Sequence, residues 1–104
     1  SVSGPTSLAS QIFDVPVVSY ASTSASLSDK TSYPMFHRTV PPDAIAAGVM
    51  ARMCAEFNFT RVGVIFLTDP YGSGYANDFT SAGAEVGVNV IASSKYTSGD
   101  VASI

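Results

Sequence analysis

The sequence predicts an α/β chain built on a parallel sheet. Three observations carry that reading. After the double proline Pro41-Pro42, apolar residues recur at helical spacing. A short aliphatic run from Arg61 to Leu67 follows, of the kind that parallel sheets bury. A second run, Val88 to Tyr96, returns after one helix-length segment, and strand, helix, strand at this spacing is a βαβ unit with a right-handed crossover.

The elements follow in order. After the Gly4-Pro5 turn, Thr6 to Phe13 leaves only about eight residues for a helix, whereas a parallel crossover takes a dozen or more. Ser1-Val2-Ser3 is too short to be the preceding strand, so part of this end is missing. Val15 to Ala21 and Met35 to Val40 read as strands, with a hydroxyl-rich run from Ser19 to Ser32 between them. Pro41-Pro42 breaks the chain, because proline lacks an N–H and restricts the residue before it.

Asp43 is expected to cap a helix running to about Phe57, with Ile45, Val49, Met53 and Phe57 as its buried stripe. Gly48 costs that helix about 1 kcal/mol against alanine, tolerable where a neighbour packs closely. Arg61 to Leu67 is expected to be a strand covered on both faces. Thr68 to Gly74 reads as a loop by its Pro and Gly content. The next helix, Gly74 to Val86, should bury Tyr75, Phe79, Ala82 and Val86 and stop at Gly87. After the Val88–Tyr96 strand, Thr97-Ser98-Gly99-Asp100 looks like the cap of a third helix ending at Ile104.

Composition excludes several functions. Charged residues make up 12% of the chain, against roughly 25% in an average soluble domain. So bare a surface is expected to be covered in a longer parent. Net charge is −3, and Lys30, Arg38, Arg52, Arg61 and Lys95 stand singly, which leaves no footprint for nucleic acid or an anionic membrane. The strongest apolar stretch, Val62 to Leu67, falls far short of the roughly 20 residues of a membrane helix. One cysteine, Cys54, and one histidine, His37, exclude an internal disulfide and a zinc set.

Candidate chemistry is sparse. Gly72-Ser73-Gly74 before a helix has Asn77 where a dinucleotide loop needs its third glycine, so a plain turn is the better reading. His37 with Asp29 or Asp43 and the many serines could compose a triad, but no Gly-x-Ser-x-Gly elbow occurs. A packing or edge position suits His37 better. Cys54 has no basic neighbour and reads as a packing thiol. Asn58-Phe59-Thr60 fits a glycosylation acceptor, which matters only in a secreted parent. For Ser22-Thr23-Ser24, composition alone fits a flexible polar loop. The other reading is a loop at the carboxyl end of a parallel strand, where doubly wound folds place ligands and small hydroxyls and bare carbonyls meet an ammonium and a carboxylate. Tyr71 would lie at the equivalent end of another strand.

Three stretches carry a resemblance to a known family: Val17 to Ser24, Leu27 to Thr31, and Tyr33-Pro34 through Phe36, Arg38-Thr39-Val40-Pro41-Pro42-Asp43. Phe57 to Val62 and Asp69, Tyr71-Gly72 continue it in order. Together they resemble the receptor family ligand-binding region, the type I periplasmic-binding-protein fold of class C G-protein-coupled receptors, natriuretic-peptide receptors and branched-chain amino-acid-binding proteins. The resemblance implies three-layer α/β/α lobes that close on a ligand. Residues 1–40 would be part of lobe 1 with a hinge-crossing strand, and residues 41–104 part of lobe 2. It implies an extracellular, non-catalytic, amino-acid-binding domain of a membrane receptor, dimeric through lobe 1, with no cofactor. The alternative is a periplasmic solute-binding protein of an amino-acid transporter, and a Rossmann-like nucleotide-binding enzyme is the rival from another class.

Four ligand contacts carry over with the resemblance. Ser7 would take the ligand carboxylate through hydroxyl and amide at a helix start, Ala21 would give its carbonyl to the ammonium, Thr23 would support the same ammonium, and Tyr71 would cover the ligand from lobe 2. The family's helix before Phe13-Asp14 is longer by roughly two turns, which displaces Ser7 most.

Overall fold

A computed structural model describes residues 2–99. The elements are α1 (Ser3–Gln11), β1 (Val17–Ser19), a 3-10 turn (Ala25–Ser28), β2 (Phe36–Arg38), α2 (Asp43–Glu56), β3 (Arg61–Leu67), α3 (Pro70–Glu85) and β4 (Asn89–Tyr96). The helix expected to end at Ile104 lies outside the described residues. The chain divides into two compact units, residues 1–43 and 44–104.

In the first unit β1 and β2 pair in parallel, Val17 opposite Phe36 and Ser19 opposite Arg38. The crossover between them carries only the 3-10 turn, whose Leu27 is buried, as is Phe36. The helix before β1 differs from expectation. It begins at Ser3, ahead of Gly4-Pro5, rather than after them. Proline is tolerated there because the first-turn N–H groups have no intrahelical partner.

The second unit holds the βαβ unit. β3 and β4 are parallel from Arg61 opposite Asn89 to Leu67 opposite Tyr96. Ala47, Ala51 and Phe79 form its core, with Cys54, Val62, Val64, Tyr75, Ala82, Val86 and Val90 packed around them. The contacts expected of α3 are therefore present, and Cys54 packs as a small apolar group.

Two expectations are corrected. The predicted stripe of α2 faces outward: Ile45, Val49, Met53 and Phe57 are 57%, 58%, 56% and 63% exposed, while Ala47 and Ala51 are fully buried. Both rows recur at helical spacing, and periodicity cannot choose between them. The buried row of α2 is the alanine one, which clusters with Phe79 of α3. Second, β3 is covered on one side only: Val62, Val64 and Phe66 are half-buried, whereas Arg61, Gly63 and Ile65 are exposed. Among the described residues, α2 and α3 pack around the same Val62, Val64 and Val90 face.

Helices α1, α2 and α3 each stop on a left-handed residue. Asp14 has φ 53°, Asn58 φ 60° and Gly87 φ 82°. After Asp14 the Val15 N–H donates to the Ser10 carbonyl (3.1 Å), after Asn58 the Phe59 N–H donates to Cys54 (2.8 Å), and after Gly87 the Val88 N–H donates to Gly83 (2.8 Å). Each is the six-to-one bond of a Schellman stop. Only Gly87 announced itself by residue type.

The start of α3 also differs. Residues 68–74 were expected to be a loop, yet the helix begins at Pro70, with Asp69 as N-cap accepting from the Gly72 N–H. Proline directly after a capping aspartate is a helix-start signal, because its missing N–H is an orphan there anyway. Gly72 is required by the close turn. A Cβ on it would lie 2.5 Å from the Leu67 carbonyl oxygen, whereas one on Gly48 meets nothing within 4 Å. Among the described residues no neighbour packs closely on Gly48. Gly48→Ala should therefore stabilise the protein by about 1 kcal/mol, and Gly72→Ala should destabilise it by about 1–3 kcal/mol, both measured by urea denaturation. A Gly72→Ala protein as stable as wild type would contradict this packing of α3 on β3.

Candidate functional site

The site is built on the loop that leaves the carboxyl end of β1. Because β1 and β2 are parallel, Arg38 at the end of β2 stands beside Ser19 at the end of β1. Its guanidinium reaches into the loop. Nη1 donates to the carbonyls of Ser22 (3.0 Å) and Ser24 (2.9 Å), and Nη2 donates to the Ser28 hydroxyl. The Phe36 ring lies 5.7 Å from the guanidinium carbon, within cation–π range. The carbonyl between the two clamped ones, that of Thr23, accepts from the Asp43 N–H at 2.8 Å.

The near end of the loop is held by Ser19, whose hydroxyl accepts from the N–H groups of Ser22 (3.0 Å) and Ala21 (3.3 Å). The Ser22 hydroxyl bonds that of Ser3 in α1. At the far end, Asp29 accepts from the Thr31 N–H (2.9 Å) and the Ser32 hydroxyl (2.8 Å). The Ser32 and Thr31 bonds hold the exposed Asp29 carboxyl below its ordinary value. Lys30 donates to the Phe36 carbonyl and closes the segment back onto β2. The flexible-loop reading of this run is therefore overturned: each of its three central carbonyls has a donor.

What these bonds leave unused is informative. Ala21 is exposed and Thr23 half-buried. Among the described residues no hydrogen bond takes the Ala21 carbonyl or the Thr23 hydroxyl. An exposed carbonyl and a hydroxyl two residues apart, on an immobilised backbone, are two acceptors fitted to a cationic donor.

Ser7 sits elsewhere. It is the fifth residue of α1 and fully buried, and among the described residues its hydroxyl has no partner, nor has the buried Gln11 Oε1 one turn on. Its amide lies past the four N–H groups that a helix start leaves free, so the anion-binding geometry expected at a helix start does not extend to it. The site thus brings Ala21 and Thr23 together, while Ser7 is sealed into the α1 packing. Tyr71 belongs to the second unit. It is the second residue of α3, four residues after the carboxyl end of β3, and 53% exposed.

The rival chemistries find no support in the geometry. His37 is exposed and bonds no serine or aspartate among the described residues. Gly72-Ser73-Gly74 lies inside α3, so it is neither a phosphate loop nor a free turn. Among the described residues no group of His, Cys, Asp or Glu could hold a metal ion. No helix among them is long and apolar enough to cross a membrane. Sequence reasoning missed the role of Arg38. The available signal was a lone arginine ending a strand beside a run of hydroxyl residues.

Parallel strand pairs with a fixed loop at a strand's carboxyl end define a ligand-holding α/β module. The full chain, residues 1–104, matches the receptor family ligand binding region, and it belongs to that family. Its parallel strand pairs are part of the periplasmic-binding-protein-like fold. Among its relatives is metabotropic glutamate receptor 8 of Homo sapiens, a class C G-protein-coupled receptor. The two are 35% identical over 85 residues, covering 82% of this chain and 9% of that receptor. The chain therefore spans about a tenth of the length of this relative.

Arg38→Lys tests the clamp. A single ammonium cannot reproduce the planar fork across two carbonyls and a hydroxyl. The loss should be about 1.5–3 kcal/mol, read as at least roughly tenfold faster amide exchange over residues 21–28. Unchanged exchange would show that the loop is held by other means.

Proposed function

We propose that the chain is part of the extracellular ligand-binding domain of a membrane receptor, that it holds an amino-acid-like small molecule without catalysis, and that ligand-driven closure is its signal. The observation that carries this is the pair of unused acceptors, the Ala21 carbonyl and the Thr23 hydroxyl, on a loop whose intervening carbonyls are all taken. An α-ammonium needs such acceptors, and an uncharged site formed by carbonyl and hydroxyl supplies them without repelling the ligand's carboxylate. The human relative is a receptor whose name specifies an amino acid, and this favours the receptor reading over a transport component. The family resemblance adds attachment of the parent to a membrane and a dimer through lobe 1.

In this reading Ala21 and Thr23 take the ammonium, and Tyr71 of the second unit covers the ligand, its exposed ring giving apolar contact. Ser7 contributes, if α1 shifts to uncover it, through the hydroxyl alone.

The test is calorimetric titration of the full-length protein's ectodomain with a panel of L-amino acids. Thr23→Ala should weaken the best ligand at least roughly tenfold, the scale of a hydrogen bond to a charged group. The corresponding des-amino acid, which carries no donor at Cα, should bind weakly and equally to both proteins. An equal loss for the two ligands would show that Thr23 does not meet the ammonium. Stabilisation by a nicotinamide dinucleotide and by no amino acid would sink the receptor reading.

Ser7→Ala separates the remaining role. Removing a buried hydroxyl that has no partner should leave the unliganded protein at least as stable by urea denaturation. A drop of more than about 1 kcal/mol would mean that the hydroxyl is already satisfied within the fold.

A further inference from the structure

We propose that Asn58 carries an N-linked oligosaccharide whose first sugar lies over the rings of Phe57 and Phe59. The inference rests on the extracellular reading above, because the transfer occurs only on chains that enter the secretory lumen. Asn58-Phe59-Thr60 has the acceptor pattern. The other asparagines do not, since Asn77 is followed by Asp78-Phe79 and Asn89 by Val90-Ile91.

The structure adds two independent observations. Asn58 is the left-handed residue of the α2 stop, at φ 60°, and residues 56–60 are all exposed. Its backbone is fully engaged: its N–H donates to Ala55 (3.0 Å), and its carbonyl accepts from Thr60 (3.1 Å). Its side-chain amide makes no hydrogen bond among the described residues, and nor does the Thr60 hydroxyl. The amide is thus displayed on a rigid turn and spent on nothing within the fold.

The second observation is the pair of rings. Phe57 and Phe59 flank Asn58, 63% and 58% exposed, with centroids 6.1 Å apart and planes tilted by 31°. Two adjacent phenyl groups in water form an apolar patch that wants a cover. The C–H face of an N-acetylglucosamine joined to the asparagine between them is amphipathic in the required way. It can lie on aromatic faces while its hydroxyls stay hydrated.

The donor is a lipid pyrophosphate-linked oligosaccharide. The bond from the sugar's anomeric carbon to the phosphate oxygen breaks, and a bond from that carbon to Asn58 Nδ2 forms. The amide loses one proton, and the lipid pyrophosphate leaves. No oxidant or reductant is involved.

The full-length protein, expressed in mammalian cells, is captured by surface biotinylation and digested with trypsin. Cleavage after Arg52 and Arg61 releases a nine-residue peptide, 53–61, in which Asn58 is the sole asparagine. Deglycosylation by peptide N-glycosidase in heavy-oxygen water should convert Asn58 to labelled aspartate in most of that peptide. Asn58→Asp, which tolerates the left-handed backbone, and Thr60→Ala should both abolish the glycan. Thr60→Ser should keep it.

A bare 53–61 peptide in the surface-labelled fraction overturns the Asn58 assignment and leaves the extracellular reading intact. Absence of any surface-labelled protein overturns both. For the covering role, Thr60→Ala should raise fluorescence of a hydrophobic dye by about twofold or more, as exposed apolar patches do. A glycan lost with no change in dye binding overturns the cover.

Discussion

Arg38 turns a hydroxyl-rich segment into a fixed object. Ordering the backbone of Ser22, Thr23 and Ser24 costs roughly 1–2 kcal/mol per residue, and their small side chains bury too little to offset it. The bonds from a charged guanidinium are worth about 1.5–3 kcal/mol each. Two to carbonyls and one to a hydroxyl are enough to hold the loop. The parallel pairing of β1 with β2 makes the reach possible, because it places Arg38 beside the point where the loop leaves. The same clamp decides which acceptors remain. With the carbonyls of residues 22 to 24 engaged, those of Ala21 and the Thr23 hydroxyl are left to meet anything else.

The apolar surface of α2 follows from which of its rows turns inward. Ala47 and Ala51 are fully buried and cluster with Phe79, so the small side chains form the inward face of α2. Ile45, Val49 and Met53 then have nowhere to go but outward. On β3, Ile65 is exposed on the side away from both helices, and Ile91 on β4 is exposed as well. These surfaces agree with the low share of charged residues, and the chain spans about a tenth of the length of its human relative. Their exposure is a property of the chain as it stands.

Strands β3 and β4 and the Gly87 stop were legible because parallel strands are long apolar runs and glycine readily adopts positive φ. The apolar contacts of α3 were legible too, as Phe79, Ala82 and Val86 follow one period. The inward face of α2 was not, since two apolar rows compete and only packing distance separates them. At Asp69-Pro70 the proline and glycine content signals a loop as strongly as the capping aspartate signals a helix start. The loop's rigidity was not legible for a different reason. It depends on Arg38, sixteen residues from Ser22 in the chain, and on an N–H of Asp43, and neither bond leaves a local pattern. Ser7 shows the limit of position matching, for a hydroxyl can stand at the matched place in the chain and still be sealed inside a helix packing.

A division of labour follows for the proposed receptor. Contacts made by Ala21 and Thr23 lie within one unit and exist whether or not the second unit approaches. In that reading they would set how tightly a ligand is held, but a contact of equal strength in the open and closed states shifts no equilibrium. Only a group on the second unit can make the closed state the better binder, and Tyr71 is the one carried over there. Moving a two-state equilibrium from mostly open to mostly closed takes about 5.5 kcal/mol of differential affinity. One aromatic face supplies a fraction of that, on the order of 1–3 kcal/mol for its burial. The remainder would have to come from further ligand contacts made by the second lobe. In the proposed receptor the rigid loop would therefore serve recognition, and the switching energy would come from ligand contacts that form only on closure.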